Sequence, residues 1–437
     1  MKPYSASVKE TLTSLINAMS QTLSQFVKTP GKDFTRNRKL PFDTVVNMLI
    51  TMGGNSINKE LLDAQGFDVD TATTSAFIQQ REKILPCAFE FILNEFTQSH
   101  TDIKKYQGYR LLATDGSSLH IPTNPFDNET HFNCNSAGNG HNLLHLNAMY
   151  DLCNKLYVDA IVQPGRHPNE AKAMVDMVDR SRIIDKVIVI ADRNYEGYNN
   201  LAHIEEKGWN YLIRIKDAGT RCILHGLRLP REGHYDICTK RILTRKKTKE
   251  TKARPDLYKI VDGSKAIFDF INRANPFYPM TFRVVRFKIT EDTYETVITN
   301  LDQSEFSPQD LKELYKMRWG IETSFRELKY AVSLTSFHSK KREHILQEVF
   351  ARIIMYNFAE MITSHVVISQ ADTKHIYQVN FTVAIHICRH FLRLLNNMLP
   401  QDAEALIRKN ILPIRPGRSF IRKIRVRTVV SFLYRVA

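Results

Sequence analysis

Nowhere in the 437 residues is there an unbroken apolar run long enough to cross a bilayer. The longest candidate, 350–368, is interrupted by Arg352, Asn357, Glu360 and His365, the pattern of a buried amphipathic helix. Residues 1–20 alternate polar and apolar side chains and lack the apolar block of a secretory signal, so a cytoplasmic protein with no membrane partner is expected. Cysteine is scarce too. The six cysteines are scattered without one Cys-x-x-Cys pair, which argues against a disulfide framework and against structural zinc. Acid is short relative to base: the net charge is +15, and no acidic residue follows Glu404. A surplus of this size favours a polyanionic partner, and with the membrane set aside nucleic acid remains.

What is present is enough chain for a large core and several domains. The first hundred residues read as helices. Val8, Leu12, Leu15, Ile16 and Met19 recur at helical spacing. A basic, turn-rich segment around Pro30 and Gly31 follows, and three further helices are expected over 42–52, 57–65 and 74–84. The last two can form a helix-turn-helix with 76–83 as the reading helix and Gln79, Gln80 and Arg81 facing DNA; a plain helical bundle gives the same pattern.

From Tyr109 the pattern changes to strands. YRLLATDGSSLHI carries Asp115, and two strand-like runs, 144–150 and 155–162, flank a turn at Asp151–Asn154. A helix opening at Pro168 and Asn169 leads to VIVIA at 187–191, which has no alternation and so reads as a central strand covered on both faces. Asp192 follows it. A helix over 198–207 and a strand over 209–216 complete the order: three hairpin-connected strands, then helix, strand, helix, strand. This is the order of a ribonuclease H-like core with a mixed five-stranded sheet, in which the first and fourth strands are neighbours. Asp115 and Asp192 would then project side by side. Either aspartate alone reads more readily as a turn-former or helix cap. Two close carboxylates repel each other, and a divalent cation resolves that conflict; oxygen-only donors suit Mg²⁺ or Mn²⁺.

Between Lys216 and Phe306 four strand-like runs, 235–242, 257–261, 280–289 and 293–300, read as an inserted, mainly β subdomain. Its segment 240–254 holds eight basic residues, Lys240, Arg241, Arg245, Lys246, Lys247, Lys249, Lys252 and Arg254, against the single acid Glu250, which favours phosphate contact over a merely solvated loop. Ser307 then has the mark of an N-cap, with Pro308 at the first helical position and Asp310 three residues on. On the helix that follows, Leu314, Met317, Ile321, Phe325 and Leu328 share an apolar arc, and Tyr315, Arg318, Glu322 and Lys329 line up beside it. Such a row is either a solvated face with an i, i+4 ion pair or a catalytic carboxylate among phosphate-binding groups.

The spacing Tyr315-x2-Arg318-x3-Glu322-x6-Lys329 resembles the Y-x2-R-x3-E-x6-K signature of bacterial insertion-sequence transposases of the DDE class. Arg318-Trp319, Ile321-Glu322, Phe325-Arg326 and Leu328-Lys329 are similar to its flanks, and ATDGS at Asp115 and ADRNY at Asp192 look like its first and second acidic motifs. The resemblance covers roughly 105–335. It implies a metal-dependent DNA strand transferase in which Asp115, Asp192 and Glu322 hold two Mg²⁺ or Mn²⁺ ions. Water would free a 3′-hydroxyl at each element end, that hydroxyl would attack target DNA, and the second strand would be cut through a hairpin. Tyr315, Arg318, Lys329 and Arg326 would grip the DNA, with Arg214 and Lys216 as further contacts. Trp319 would stack on a flipped base or else belong to the core, and Tyr294 is a second aromatic for that stacking role. Asn194 stands where many relatives have glycine.

The last hundred residues add two long helices, 343–369 and 379–398, which read as packing on the sheet or as a dimer surface. IRKIRVRTVV at 421–430 reads as a final strand or a DNA-binding tail. Five regions are therefore expected: a helical DNA-binding region (1–104), the core's first part (105–216), the β insert (217–306), the third-carboxylate helix (307–340) and a helical region with a basic tail (341–437). The partners implied are terminal inverted repeats, target DNA and a second copy of the chain, in a bacterial, nucleoid-associated setting. A catalytically silent DNA-binding regulator and a phosphodiester hydrolase on the same fold are the alternatives.

Overall fold

The computed structural model describes residues 3–36, 38–133, 140–216, 222–230, 232–261, 267–290, 293–368, 376–393 and 402–414. The chain opens with helices α1 (Tyr4–Gln21), α2 (Phe42–Thr51), α3 (Ile57–Ala64), α4 (Thr74–Arg81) and α5 (Cys87–Gln98). Val8, Leu12, Ile16 and Met19 form the buried stripe of α1, as their spacing requires. The helix-turn-helix reading fails at its contact residues. Arg81 is 1 % exposed and Gln80 is also buried, and the Arg81 side chain points into the molecule toward Glu348. Of the three, Gln79 alone reaches solvent. The cause is a tertiary partner that no local pattern announces: an acid on a distant helix takes the guanidinium.

Next come β1 (Arg110–Ile121), β2 (His131–Phe132), β3 (His141–Asp151), β4 (Leu156–Pro164), α6 (Glu170–Arg180), β5 (Val187–Ala191), α7 (Tyr198–Glu206) and β6 (Asn210–Ile215). β1 pairs antiparallel with β3, β3 antiparallel with β4, and β1, β5 and β6 run parallel to one another. All five residues of β5 are buried. Val187, Val189 and Ala191 face a cluster built with α6 and α7, while Ile188 and Ile190 face the opposite cluster, which explains the unbroken apolar run.

The stretch read as an inserted, mainly β subdomain extends this sheet. It supplies β7 (Tyr235–Thr244), α8 (Lys249–Ala253), β8 (Tyr258–Ile260), β9 (Phe277–Lys288) and β10 (Tyr294–Thr299). β10 pairs antiparallel with β6, and β9, β7 and β8 follow outward, so the described residues form one mixed sheet of ten strands that takes in the five-stranded core. The physical reason is the edge of β6: an open row of backbone donors and acceptors is satisfied by the next available strand.

Helices α9 (Pro308–Met317) and α10 (Trp319–Tyr330) follow. Ser307 and Asp310 form the reciprocal cap read from the sequence, with Ser307 Oγ accepting from Asp310 N at 3.3 Å and Asp310 Oδ2 accepting from Ser307 N at 2.9 Å. The stretch read on one helical wheel is broken at Arg318, whose N–H reaches back only to Tyr315 O. After α10 come α11 (Arg342–Thr363), β11 (Tyr377–Val379), α12 (Phe381–Arg393), α13 (Ala403–Lys409) and β12 (Ile411–Pro413). α11 is buried over nearly its whole length, among α2, α5, α12 and β4. One core cluster runs from α1 through β1, β3 and β4 to α10, α11 and α12, so the terminal helical regions and the sheet share a hydrophobic interior. IRKIRVRTVV lies outside the described residues. Among the described residues no helix is long and apolar enough to cross a membrane.

Candidate active site

Parallel pairing of β1 with β5 sets Thr114 opposite Ala191, so Asp115 and Asp192 follow at the same level on neighbouring strands. Asp192 begins a short 3₁₀ turn and its Oδ1 accepts from Asn194 N at 2.8 Å. Asn194 does not adopt a left-handed backbone, so the turn has no need of glycine there. Asp115 Oδ1 accepts from Gly116 N at 2.8 Å. The third carboxylate arrives on α10, whose Ile321, Phe325 and Leu328 are buried in the cluster that contains Ala113, Leu119 and Ile121 of β1. Packing of that apolar stripe turns the adjacent row, including Glu322, toward Asp115.

Arg318 ties the carboxylates together. Its Nη2 donates to Glu322 Oε1 at 2.8 Å, and its Nη1 lies 3.7 Å from Asp115 Oδ2. The guanidinium lies 5.7 Å from the ring of buried Tyr315 and 5.1 Å from that of Trp319, so its direction is fixed by two aromatic contacts. Trp319 itself is 57 % exposed, which excludes the core role for it. Burial pushes the Asp115 carboxyl up to about 6; Asp192 and Glu322 add to that push, while the Gly116 N–H and Arg318 oppose it. Asp115 is therefore close enough to both Asp192 and Glu322 to feel their charges.

The donor chemistry suits a hard cation: every candidate ligand is a carboxylate oxygen, and one carboxyl is destabilised in its charged form. Side-chain placement is less complete. With Arg318 between Asp115 and Glu322, no group of three or more His, Cys, Asp or Glu side chains is arranged around a single point among the described residues. A cation held by these carboxylates would compete with Arg318 for Glu322 Oε1.

Asp115, Ser117, Trp319, Glu322, Arg326 and Lys329 line one open groove of about 530 Å³. Lys329 Nζ donates to Ser117 Oγ at 2.7 Å and Ser118 O at 3.0 Å, fastening the end of α10 to β1 just past Asp115. Arg214 pairs with Glu295 at 3.2 Å, and both act on the buried Tyr315 hydroxyl. Lys216 is joined to Glu196, four residues beyond Asp192, through its backbone N–H at 2.7 Å. Tyr294 is not brought to the site: alternation along β10 puts Glu295 toward Tyr315, and Tyr294 meets Arg286 with ring and guanidinium 4.8 Å apart. Within the basic run, Arg241 is fully buried and donates to Tyr198 Oη, His225 O and Pro255 O, so it holds the fold together; the other seven basic side chains of that run are exposed.

Three groups behind the site escaped the sequence reading. His145 Nε2 lies 2.8 Å from Glu170 Oε1, directly under Gly116. Tyr195 is wholly buried, feels the charges of Glu170, Asp115 and Asp192, and its hydroxyl has no hydrogen-bond partner among the described residues. Only the single aromatic in the polar turn after Asp192 offered a signal. A Cβ at residue 116 would land on His145 Nε2 and come within 2.6 Å of Glu170 Oε1. Gly116→Ala is therefore expected to displace β1 beside Asp115, lowering stability by about 1–3 kcal/mol, the usual range for overpacking. Thermal unfolding measures it; a variant that melts with the parent would show that the strand has room to spare.

Residues 106–358 match the family model described as Transposase DDE domain. No curated protein matches the chain. Among solved structures, a cryo-EM structure of the piggyBac transposase synaptic complex with hairpin DNA shares 13 % identity, with a TM-score of 0.45, covering 94 % of this chain and 84 % of that one.

Proposed function

The chain belongs to the transposase DDE domain family, and from that premise we propose that it cuts the ends of a bacterial insertion element and joins them to target DNA, with Asp115, Asp192 and Glu322 as the catalytic carboxylates. The observation that carries this reading is the placement of Asp115 and Asp192 one residue past the last β1–β5 pair, with Glu322 on a helix packed against β1. The order β4-β3-β1-β5-β6, antiparallel and then parallel, supports a ribonuclease H-like core for that site.

Two Mg²⁺ or Mn²⁺ ions held by these carboxylates would supply Lewis-acid stabilisation of in-line phosphoryl transfer. The protein's own groups do the positioning. Lys329 keeps α10 seated on β1, so Glu322 stays level with Asp115. Arg326 and Trp319, both exposed at the groove, meet the DNA backbone and an unstacked base at the cleaved end. Arg318 changes partner from Glu322 to a substrate phosphate, with Tyr315 beneath it and Arg214 behind. Lys216 lies on the Asp192 side of the same surface.

The substrates are then the terminal inverted repeats and target DNA, brought together by two copies of the chain in the bacterial nucleoid, with a hairpin as the route to second-strand cleavage. A labelled duplex carrying the repeats that flank the reading frame, incubated with Mg²⁺ and a plasmid, tests the reading. The expected products are a 3′-hydroxyl nick, a hairpin seen as a double-length strand on a denaturing gel, and joined plasmid. Ends that are cleaved but never joined would make the protein a hydrolase; ends that are bound but never cut would make it a regulator.

A further inference from the structure

The exposed residues of α10 are Trp319, Thr323, Arg326 and Tyr330. At roughly 100° per residue they fall within about 60° of one another, so they make a single stripe along the whole helix. A solvated helix face is ordinarily built of paired acids and bases. This stripe has no acid and carries two aromatic rings. Trp319 is 57 % exposed and Tyr330 74 %, and every other tryptophan and tyrosine among the described residues is buried or partly buried. The exposed rings of this kind therefore stand together on one stripe. Glu327, the next acid round the helix, is turned inward, where its Oε2 accepts from Tyr356 Oη at 3.2 Å. Arg326 feels that charge, yet it has no carboxylate within ion-pair distance among the described residues.

All four residues line the groove that holds Asp115 and Glu322. Trp319 and Tyr330 are eleven positions apart, on the order of 16 Å at the helical rise, which is roughly five steps of a stacked strand at ~3.4 Å each. What can cover such a stripe follows from its chemistry. Bases paired in a duplex keep their faces against one another and show a protein only their edges and backbone. An unpaired strand offers base faces to rings and phosphates to a guanidinium or a hydroxyl. The stripe has the matching order, with Thr323 and Arg326 between two rings. Its positive charge, in a chain of net charge +15, suits an anionic strand.

We propose that the outer stripe of α10 carries an unpaired stretch of DNA through the carboxylate groove, with Tyr330 as a second base-stacking residue at the end of the stripe remote from Trp319. Thr323 and Arg326 meet the phosphates between the two stacked bases. DNA near the cleaved end is then held single-stranded over several nucleotides rather than at one flipped base. The assignment rests on the DNA-cleaving reading for the identity of the strand, whereas the preference for an unpaired strand stands on the stripe alone.

The probes are a mixed-sequence DNA single strand of about twelve nucleotides, long enough to cover the stripe, and a blunt duplex of the same sequence, each bound to the full chain. Tyr330→Ala is expected to lose about tenfold in affinity for the single strand and to bind the duplex as the parent does. Tyr330→Phe keeps the ring and is expected to bind both probes like the parent, whereas Tyr330→Leu keeps apolar bulk without a π face and is expected to match Tyr330→Ala. The fluorescence of 2-aminopurine placed in the single strand is expected to be quenched by the parent and less so by Tyr330→Ala. Tyr330 is exposed, so its variants are expected to melt with the parent. Undiminished single-strand affinity in Tyr330→Ala, or an equal loss on the duplex, would overturn the proposal. A dimer that weakens in Tyr330→Ala without DNA, seen by sedimentation, would give the stripe to a second copy of the chain and overturn it as well. A parent that cleaves no element ends but binds the single strand through Tyr330 fails the transposase reading and leaves the single-strand site standing.

Discussion

Asp115→Asn, Asp192→Asn and Glu322→Gln are each expected to lower Mg²⁺-dependent end cleavage by about three orders of magnitude or more, roughly 4 kcal/mol of barrier, while binding to the ends persists. The three changes keep shape and remove charge. An amide at position 192 can still accept from the Asn194 N–H that Asp192 Oδ1 now caps, and an amide at position 115 can still accept from Gly116 N. The amide introduced in place of Glu322 still offers an oxygen to Arg318. What is lost is anionic oxygen around Asp115, which feels both of the other carboxylates. A second expectation separates this from simple damage. Burial and two neighbouring carboxylates disfavour the charged form of Asp115, so removing its charge relieves that cost. Asp115→Asn is expected to melt no lower than the parent. The measurements are nicking of labelled end DNA, filter binding and a thermal melt on the same preparations; full cleavage by any one of the three variants would remove that residue from the site.

The strands of the core were legible because their burial is written locally. VIVIA carries no polar position, and it lies in the middle of the sheet with clusters on both faces. The neighbouring placement of Asp115 and Asp192 was legible through strand order, and the α9 cap through Ser307 and Asp310 alone. Destinations were harder to read. The strands from Tyr235 to Thr299 were placed to within a few residues, yet nothing in them says that β10 joins β6 rather than closing a sheet of its own. Arg318 reads as a phosphate ligand by spacing, and its engagement with Glu322 and Asp115 depends on how α10 lies over β1. His145 and Glu170 meet under Gly116 from β3 and α6. A glycine whose missing side chain matters cannot be told by sequence from one that merely follows an aspartate.

Arg81 is the sharpest case of a charge whose address is tertiary, and it carries the largest expected effect on stability. Its Nε donates to Gln347 Oε1 at 2.8 Å, Nη1 to Glu348 Oε1 at 2.9 Å and Nη2 to His344 O at 2.5 Å. Arg81 and Glu348 are each 1 % exposed. Arg81→Ala leaves Glu348 buried with His338 Nδ1, at 2.9 Å, as its nearest remaining side-chain partner, a situation that costs about 3–5 kcal/mol. Against total stabilities of roughly 5–15 kcal/mol that is a large fraction, visible as a shift in urea midpoint. Burial alone would raise the Glu348 carboxyl, yet Arg81, His338 and Arg352 together hold it well below the usual carboxylate range. A depressed folded value means the contribution is complete above the carboxyl's ordinary value near 4.5 and is lost as pH falls toward the folded one. The gap between parent and Arg81→Ala is therefore expected to be flat from neutral pH down to about 5 and to narrow only on further acidification. Replacing both partners, as in Arg81→Met with Glu348→Leu, is expected to recover most of the loss, because no charge is then stranded. If the double variant is as unstable as the single, the network of Gln347 and the His344 carbonyl, rather than the ion pair, is what joins α4 to α11.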